Sequence, residues 1–435
     1  MTIAGYLLPI FILLALFFAF SQPKKLVILM LATGPLAISV DFGNIIGGIR
    51  NISALWLLWL IICGLAALVF GRGHRVIRWS RFEKSYGLFL FWCAVMSLVA
   101  DDYAFSLRMY LKLLYPLVIF LLAKRYIITE ADRKLVLHWI LGVTALAVLL
   151  GGGLTNYLLP PAARFGRMVF VGWAPFADFA ALMSVLSLIG WTLFRQYRYW
   201  ILYGLLAVSP VFYVIRTGIL ATIVGTILFF LFRERIYKSI PVILAIYVIG
   251  AASLFVIPSI REHMFFQPNK VDANEMMFNP GRVDINQINT HGRLDMWERA
   301  LEVLFEPSPL TGSGLGACQA LFYSGFYGEM KVVHNEFVRL LCDVGLIGLC
   351  LYGIMIVTCM ILAWKAYRKA TEPLARFCAL FVLASLPALL SSMLFDNLFD
   401  YILYAGQYPF AFAGMMFSQP DSQQNIINPQ KVQFR

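Results

Sequence analysis

The feature of this chain that most constrains its fold is a succession of long apolar runs separated by short polar breaks. An apolar run of about 17 or more residues is long enough for a helix to cross the hydrocarbon core of a bilayer. The runs predict helices over 3–20, 26–42, 52–70, 86–100, 106–123, 135–151, 177–194, 199–214, 217–232, 239–257, 340–364, 374–395 and 402–418. The pattern predicts an all-α polytopic membrane protein with about 12 transmembrane helices.

The composition supports this interpretation and excludes several classes of protein. Hydrophobic residues make up 61% of the chain, and the charged residues only 13%, against about 25% in a soluble chain. A soluble globule of 435 residues has no interior that could enclose so much apolar surface, whereas a bilayer surrounds such surface with apolar solvent. The composition therefore argues against a cytosolic enzyme, a secreted disulfide-rich scaffold and a disordered chain.

The basic residues predict how the chain is oriented. The net charge is +12, and more than half of the Lys and Arg residues lie in breaks at 24–25, 72–84, 124–134, 195–198, 233–238 and 365–376. The positive-inside rule places such breaks in the cytoplasm, so the basic excess predicts no nucleic-acid partner. The alternate breaks, 258–339 among them, would face the other side, which is the periplasm for a bacterial inner (plasma) membrane.

One segment of the chain is long and polar enough to form a domain outside the bilayer. We divide the sequence into N-terminal transmembrane helices (1–257), a periplasmic loop domain (258–336), C-terminal transmembrane helices (337–418) and a polar tail (419–435). Within the loop, helical spacing of apolar residues predicts an amphipathic helix over 293–305 and a short helix near 317–323. The apolar face of the first helix would carry Leu294, Trp297, Leu301 and Leu304.

Four arginines of the outward breaks are candidates for binding an anion: Arg164, Arg167, Arg216 and Arg293. Arg216 lies at the mouth of an apolar helix, where a charge is costly and tends to face a cavity or a partner. The structural alternative for it is snorkelling to the interface. Arg293 opposes the dipole of the helix that it begins, so either an anion favours it there or it is an ordinary exposed charge.

His334 lies where the loop re-enters the membrane. Histidine suits proton transfer near neutral pH, although a lone interfacial histidine is more often structural. No second His or Cys stands at metal-ligand spacing, so no metal site is predicted. Because the sequence has no Walker A, GxGxxG or HExxH motif, no cofactor is predicted either.

A set of outward arginines with one base suits a particular kind of substrate. The periplasm holds no ATP or nucleotide sugar, so chemistry there must use a substrate that was activated elsewhere. Arginine binds phosphate oxygens bidentately and can stabilise charge on a departing pyrophosphate. The residues therefore favour a lipid-linked pyrophosphate donor.

The stretch from His334 to Gly348 reads HNEFVRLLCDVGLIG. It resembles the pattern of the O-antigen ligase family, in which His is followed by Asn, Ser or Gln, nine residues, Gly, two residues and Gly. Gly292-Arg-Leu and Gly312-Ser-Gly-Leu-Gly are similar to the loop before this His in the wider ligase and polymerase superfamily. Arg216-Thr-Gly is similar to the superfamily's Arg at a helix start. The family's Asn-containing helix start is absent after Arg164-Phe-Gly-Arg167.

The resemblance implies a GT-C-like membrane fold and an inverting glycosyltransferase that needs no metal. The donor would be a glycan linked to undecaprenyl pyrophosphate, and the acceptor of the ligases is the outer-core sugar of lipid A–core. His334 would be the base that deprotonates the acceptor hydroxyl. The pyrophosphate would be bound by Arg216, Arg293, Arg167 and Arg164. Supporting positions would be Asn335, Glu336, Gly345 and Gly348.

Two alternatives stay open. An O-antigen or exopolysaccharide polymerase of the same superfamily would use the same donor, so donor-binding residues cannot separate it from a ligase. A transporter or flippase would bind a lipid-linked glycan without chemistry, and the arginines alone would fit it equally well. Only the transporter predicts that His334→Ala leaves function nearly intact.

Overall fold

The computed structural model describes residues 3–37, 52–71, 79–150, 173–212, 215–233, 292–323 and 332–417, with short stretches between 240 and 290. Over these residues the regular elements are helices, apart from one antiparallel bridge between Phe265 and Ile288. The prediction of an all-helical chain is confirmed. About half of the predicted helix over 239–257, and the end of that over 26–42, lie outside the described residues.

The long helices follow the apolar runs, because a backbone in lipid must satisfy its own hydrogen bonds. In chain order they are α1 (Ile3–Ser21), α2 (Pro23–Ala37), α3 (Ile52–Phe70), α4 (Arg81–Leu98), α5 (Tyr103–Tyr126), α6 (Glu130–Leu150), α7 (Trp173–Phe194), α8 (Tyr197–Phe212), α9 (Arg216–Arg233), α10 (Pro258–Met264), α11 (Arg293–Ala300), α12 (Ala317–Tyr323), α13 (Glu336–Lys369), α14 (Pro373–Met393) and α15 (Gln407–Phe417). A 3-10 turn (Leu398–Tyr401) and a π-helical turn (Ile402–Gly406) lead into α15.

Among the residues that the structure describes, five helices are long and apolar enough to cross a membrane: α5, α7 from Phe176 onward, α9, α13 and α14. The chain is accordingly a multi-pass membrane protein. Helix α14 packs against α7, α9, α13 and α15, so it lies at the centre of the C-terminal bundle. One apolar core runs through the bundle, and a smaller core under the loop consists of Met296, Ala300, Cys318, Phe322, Val333, Val338 and Cys342.

The predicted loop helix is confirmed. Helix α11 continues from Ala300 as a π-helical turn to Phe305, just before Pro307. Its buried stripe runs through Met296 and Ala300, with Trp297, Leu301 and Leu304 packed beside it. The placement of Leu294 on that face is wrong, since this side chain is exposed. At 100° per residue, position 294 lies about 200° around the axis from position 296.

Helix α13 is broken at Gly345, which has φ 66° and ψ −171°. In an unbroken helix the N–H groups of Leu346 and Ile347 would donate to the carbonyls of residues 342 and 343. Here they donate to Pro309 O (2.9 Å) and Leu310 O (3.1 Å) instead. The two released carbonyls accept from Ser313 N (2.8 Å) and Gly314 N (3.2 Å). The loop and the membrane helix thus exchange four hydrogen bonds, which fastens the segment before His334 to α13.

Gly348 has a different structural role, which is close packing. The indole N–H of Trp92 on α4 donates to Val344 O at 3.0 Å. A Cβ at position 348 would lie 3.1 Å from Trp92 Cδ1 and 2.3 Å from Val344 Cγ2. A small residue therefore lets α4 and α13 approach each other, as is common between membrane helices.

Candidate functional site

His334 adopts a backbone conformation that few non-glycine residues use, with φ 51°. That conformation costs roughly 1–2 kcal/mol, so the surroundings must hold it in place. Asn397 does so with both atoms of its amide. Its Oδ1 accepts the backbone N–H of His334 at 2.9 Å, and its Nδ2 lies 2.9 Å from His334 Nδ1. The half-buried imidazole is therefore fixed in orientation at the start of α13.

Asp396 is the second neighbour of the imidazole, with Oδ1 3.6 Å from His334 Nδ1. The two contacts of Nδ1 imply different tautomers. If Nδ1 accepts from Asn397 Nδ2, the proton of the neutral ring sits on Nε2, and Nε2 cannot act as a base. If Nδ1–H donates to Asp396, Nε2 can accept a proton. Proton abstraction by Nε2 requires the second state, and catalytic hydrogen bonds are often long in the absence of substrate.

Arg293 reaches the same turn from the loop. Its Nη1 donates to Phe395 O at 2.6 Å, which explains why an arginine begins α11 against the helix dipole. Burial lowers the pKa of Arg293 below its usual value, and the nearby charge of Asp396 opposes that shift. A half-buried guanidinium of this kind favours an anion beside it, and its five N–H donors can bind a phosphate oxygen as well as Phe395 O.

The Arg216-Thr-Gly motif lies across from Arg293. Thr217 Oγ1 donates to Asp396 Oδ2 at 3.4 Å, and a Cβ at Gly218 would lie 2.6 Å from the Cβ of Ala177 on α7. These two residues fix the start of α9 against the turn and against α7. Arg216 Nη1 lies 4.0 Å from Met264 Sδ, and the positive charge of Arg293 acts on the Arg216 guanidinium. Two positive charges are therefore held close together, which a bridging anion would stabilise.

Two of the predicted site residues, His334 and Arg293, thus contact one short turn, Phe395–Asn397, between α14 and α15, and the predicted Arg216 precedes Thr217, which contacts it as well. The predicted Arg164 and Arg167 lie outside the described residues.

The predicted supporting residues Asn335 and Glu336 accept hydrogen bonds from backbone N–H groups. Asn335 Oδ1 accepts from Phe337 N and Val338 N, both at 3.0 Å, and so caps α13.

Glu336 belongs to a buried ionic cluster beneath His334. Its Oε1 accepts from Phe399 N at 2.7 Å, and its Oε2 lies 3.5 Å from Arg339 Nη1. Arg339, only 2% exposed, also pairs with Asp400 at 3.6 Å, and Lys112 on α5 pairs with Asp400. Buried charges are stable only when paired in this way, so the cluster holds the 396–401 segment against the start of α13.

Asp396 and Asn397 were not predicted from the sequence. A signal was present, because Asp396 and Asp400 are carboxylates between two apolar runs, and ionisable residues within such regions tend to be functional. The cost of burying a charge, which singled out Arg216, applies to these carboxylates as well. Among the residues that the structure describes, no group of three or more His, Cys, Asp or Glu side chains is placed to hold a metal ion.

Comparison with known protein families gives a match over part of the chain. Residues 215–353 match the family model described as O-antigen ligase. The matched region begins just before Arg216 and includes Arg293, His334 and the two motif glycines. It ends before the turn that carries Asp396 and Asn397. No curated protein matches the chain.

Proposed function

We propose, because residues 215–353 match the family model described as O-antigen ligase, that this chain is an O-antigen ligase of the bacterial inner membrane. It transfers a glycan from undecaprenyl pyrophosphate to the outer-core sugar of lipid A–core, by a metal-independent inverting reaction. The observation that carries the proposal is the convergence of His334, Arg293 and Arg216-Thr217 on the turn Phe395–Asn397.

The proposed chemistry uses the tautomer that Asp396 favours. With Nδ1–H donating to Asp396, His334 Nε2 takes the proton of the acceptor hydroxyl as its oxygen attacks the anomeric carbon. The bond from that carbon to the pyrophosphate breaks, and the electron pair leaves with the lipid pyrophosphate. Arg216 and Arg293 bind its oxygens and stabilise the charge that develops there.

The side of the membrane follows from where the chain is basic. His334 precedes α13, Arg216 begins α9, and the turn Phe395–Asn397 follows α14. The opposite ends of these three helices lead into the basic breaks 233–238 and 365–376. The positive-inside rule assigns those breaks to the cytoplasm, so the site faces the periplasm, within a GT-C-like helix bundle.

The experiment is the lipopolysaccharide banding pattern of a strain that lacks this protein, complemented with wild type, an empty vector or His334→Ala. Bare lipid A–core, with polymerised glycan retained on undecaprenyl pyrophosphate, is expected without wild type. Loss of the base should slow transfer by about 10²–10⁴-fold. His138→Ala, a change on α6, is the matched control and should restore transfer.

Two results would contradict the ligase. Lipid A–core that carries a single repeat unit in the deletion strain would identify a polymerase. Full complementation by His334→Ala, at an equal protein level, would identify a transporter that performs no chemistry.

A further inference from the structure

A second buried carboxylate lies behind the site. Asp178 is on α7, within its candidate membrane span, and is only 2% exposed. Its Oδ1 accepts from Ser392 Oγ on α14 at 2.7 Å. Its Oδ2 is buried and accepts no hydrogen bond from the described part of the chain. An ionisable residue within a membrane helix is expensive and tends to mark a functional group with a nearby partner.

The charged side chain that acts on Asp178 is Asp396. Ser392, which binds Asp178, precedes Asp396 by four residues, and Thr217 binds Asp396 while Gly218 packs on Ala177, next to Asp178. The two carboxylates also act on each other electrostatically. Asp178 thus lies on the far side of Asp396 from His334.

Ionising both Asp178 and Asp396 at once would be unfavourable in free energy. An unpaired buried carboxylate costs several kcal/mol and is neutralised by a proton instead, and two neighbouring carboxylates share one proton for the same reason. The other charged or titratable groups around the pair are His334, Arg216, Arg293 and Tyr401. His334, Arg293 and the Thr217 hydroxyl lie on the Asp396 side. The charge therefore belongs on Asp396 and the proton on Asp178.

We propose that Asp178 is a positioning residue that holds a proton and donates it in a hydrogen bond to Asp396. This rests on the proposed function, since it concerns the carboxylate that orients the base. The hydrogen bond withdraws charge from Asp396, so Asp396 orients the imidazole but stabilises its protonated form less. His334 then stays unprotonated, and able to act as a base, at a lower pH.

The test compares the pH–rate profiles of wild type, Asp178→Asn and Asp178→Leu. The purified proteins act on glycan-linked undecaprenyl pyrophosphate and lipid A–core, both extracted from the deletion strain. The Asn amide can donate to Asp396 and accept from Ser392, so the acidic limb should stay where it is in wild type. Leu donates nothing, so the acidic limb should move to higher pH, by on the order of one unit. Asp101→Asn, an exposed carboxylate, is the control.

Two kinetic outcomes would overturn the inference. A limb that moves to lower pH in Asp178→Asn would show that an ionised carboxylate had been removed. An unmoved limb in Asp178→Leu would show that the side chain only fills space.

An infrared spectrum tests the proton without any transfer assay. Wild type at neutral pH should show the carbonyl band of a protonated carboxylic acid that is missing in Asp178→Asn. Identical spectra would overturn the inference. An absence of transfer by wild type with this band present would instead refute the proposed function alone.

Discussion

The two ends of the segment His334–Gly348 make different kinds of contact: His334 lies just before α13, and Gly345 and Gly348 lie within it. At the His334 end, side chains make the contacts: Asn397 fixes the ring and Asp396 lies beside it. At the glycine end, the backbone makes them: four hydrogen bonds are exchanged with the loop around Gly345. The first end is suited to chemistry and the second to holding the loop.

The comparison shows that one short motif can combine two separate requirements. His334 is placed by the turn after α14, and the loop that reaches it is anchored by the break in α13. A change at the first end should affect transfer more than stability, and a change at the second end should do the reverse. The variants that follow test this division, from the largest expected effect to the smallest.

Asp396→Asn should have the largest effect at the His334 end. An amide at this position can donate to Nδ1 and hold the ring with its proton on Nε2, which is the wrong tautomer for a base. We expect transfer to fall by about 10²–10⁴-fold, with a thermal unfolding midpoint close to that of wild type. Asp295→Asn, an exposed carboxylate on α11, should transfer normally. Wild-type transfer by Asp396→Asn would mean that Asp396 does not set the tautomer of His334.

Gly345→Ala should have the largest effect at the glycine end. A Cβ there would lie 2.3 Å from Leu310 O and 2.5 Å from Gly312 N, and the positive φ is unfavourable for alanine. We expect the free energy of unfolding to fall by about 2–5 kcal/mol, seen as a lower unfolding midpoint in detergent. Gly353→Ala is the matched control on the same helix, since nothing lies within 4 Å of its Cβ. Equal midpoints for the two variants would refute the anchoring role of the break.

Arg216→Lys tests whether the arginine binds pyrophosphate with two parallel hydrogen bonds. Lysine keeps the charge but loses the planar fork, and a hydrogen bond to a charged group contributes about 1.5–3 kcal/mol. We therefore expect the rate of transfer at low donor concentration to fall by roughly 10–100-fold. Arg233→Lys, at the other end of α9, should behave as wild type. Full activity of Arg216→Lys would remove the bidentate contact from the proposal.

Gly348→Ala should have the smallest effect on transfer. Trp92 must shift by a few tenths of an ångström to admit a methyl group, and Val344, whose Cγ2 and Cβ would lie 2.3 Å and 2.5 Å from it, must move further, which costs about 1–3 kcal/mol in a packed interface. The expected result is a slightly lower unfolding midpoint with normal transfer. A loss of transfer at an unchanged midpoint would show that Gly348 belongs with the site and not with the packing.

Local pattern predicted most of the elements. Apolar runs located α3, α9 and α14 because a helix in lipid needs a long apolar surface, and the spacing of Trp297 and Leu301 located the loop helix. The local pattern placed Leu294 on the wrong face of α11, because the face that a short helix buries depends on the elements packed against it. The break at Gly345 was also not predicted, since the bonds that permit it come from residues 309–314.

The sequence by itself determined that this chain is a multi-pass helical membrane protein, and it singled out His334, Arg216 and Arg293, because apolar length, charge cost and motif spacing are properties of neighbouring residues. Only the tertiary structure decided that His334, Arg293 and Thr217, the residue after Arg216, contact the turn that carries Asp396 and Asn397, and that Asp178 lies behind that turn. Asp178 and Asp396 are 218 positions apart in the chain. Their proximity follows from how α7, α9 and α14 pack, which no local pattern contains.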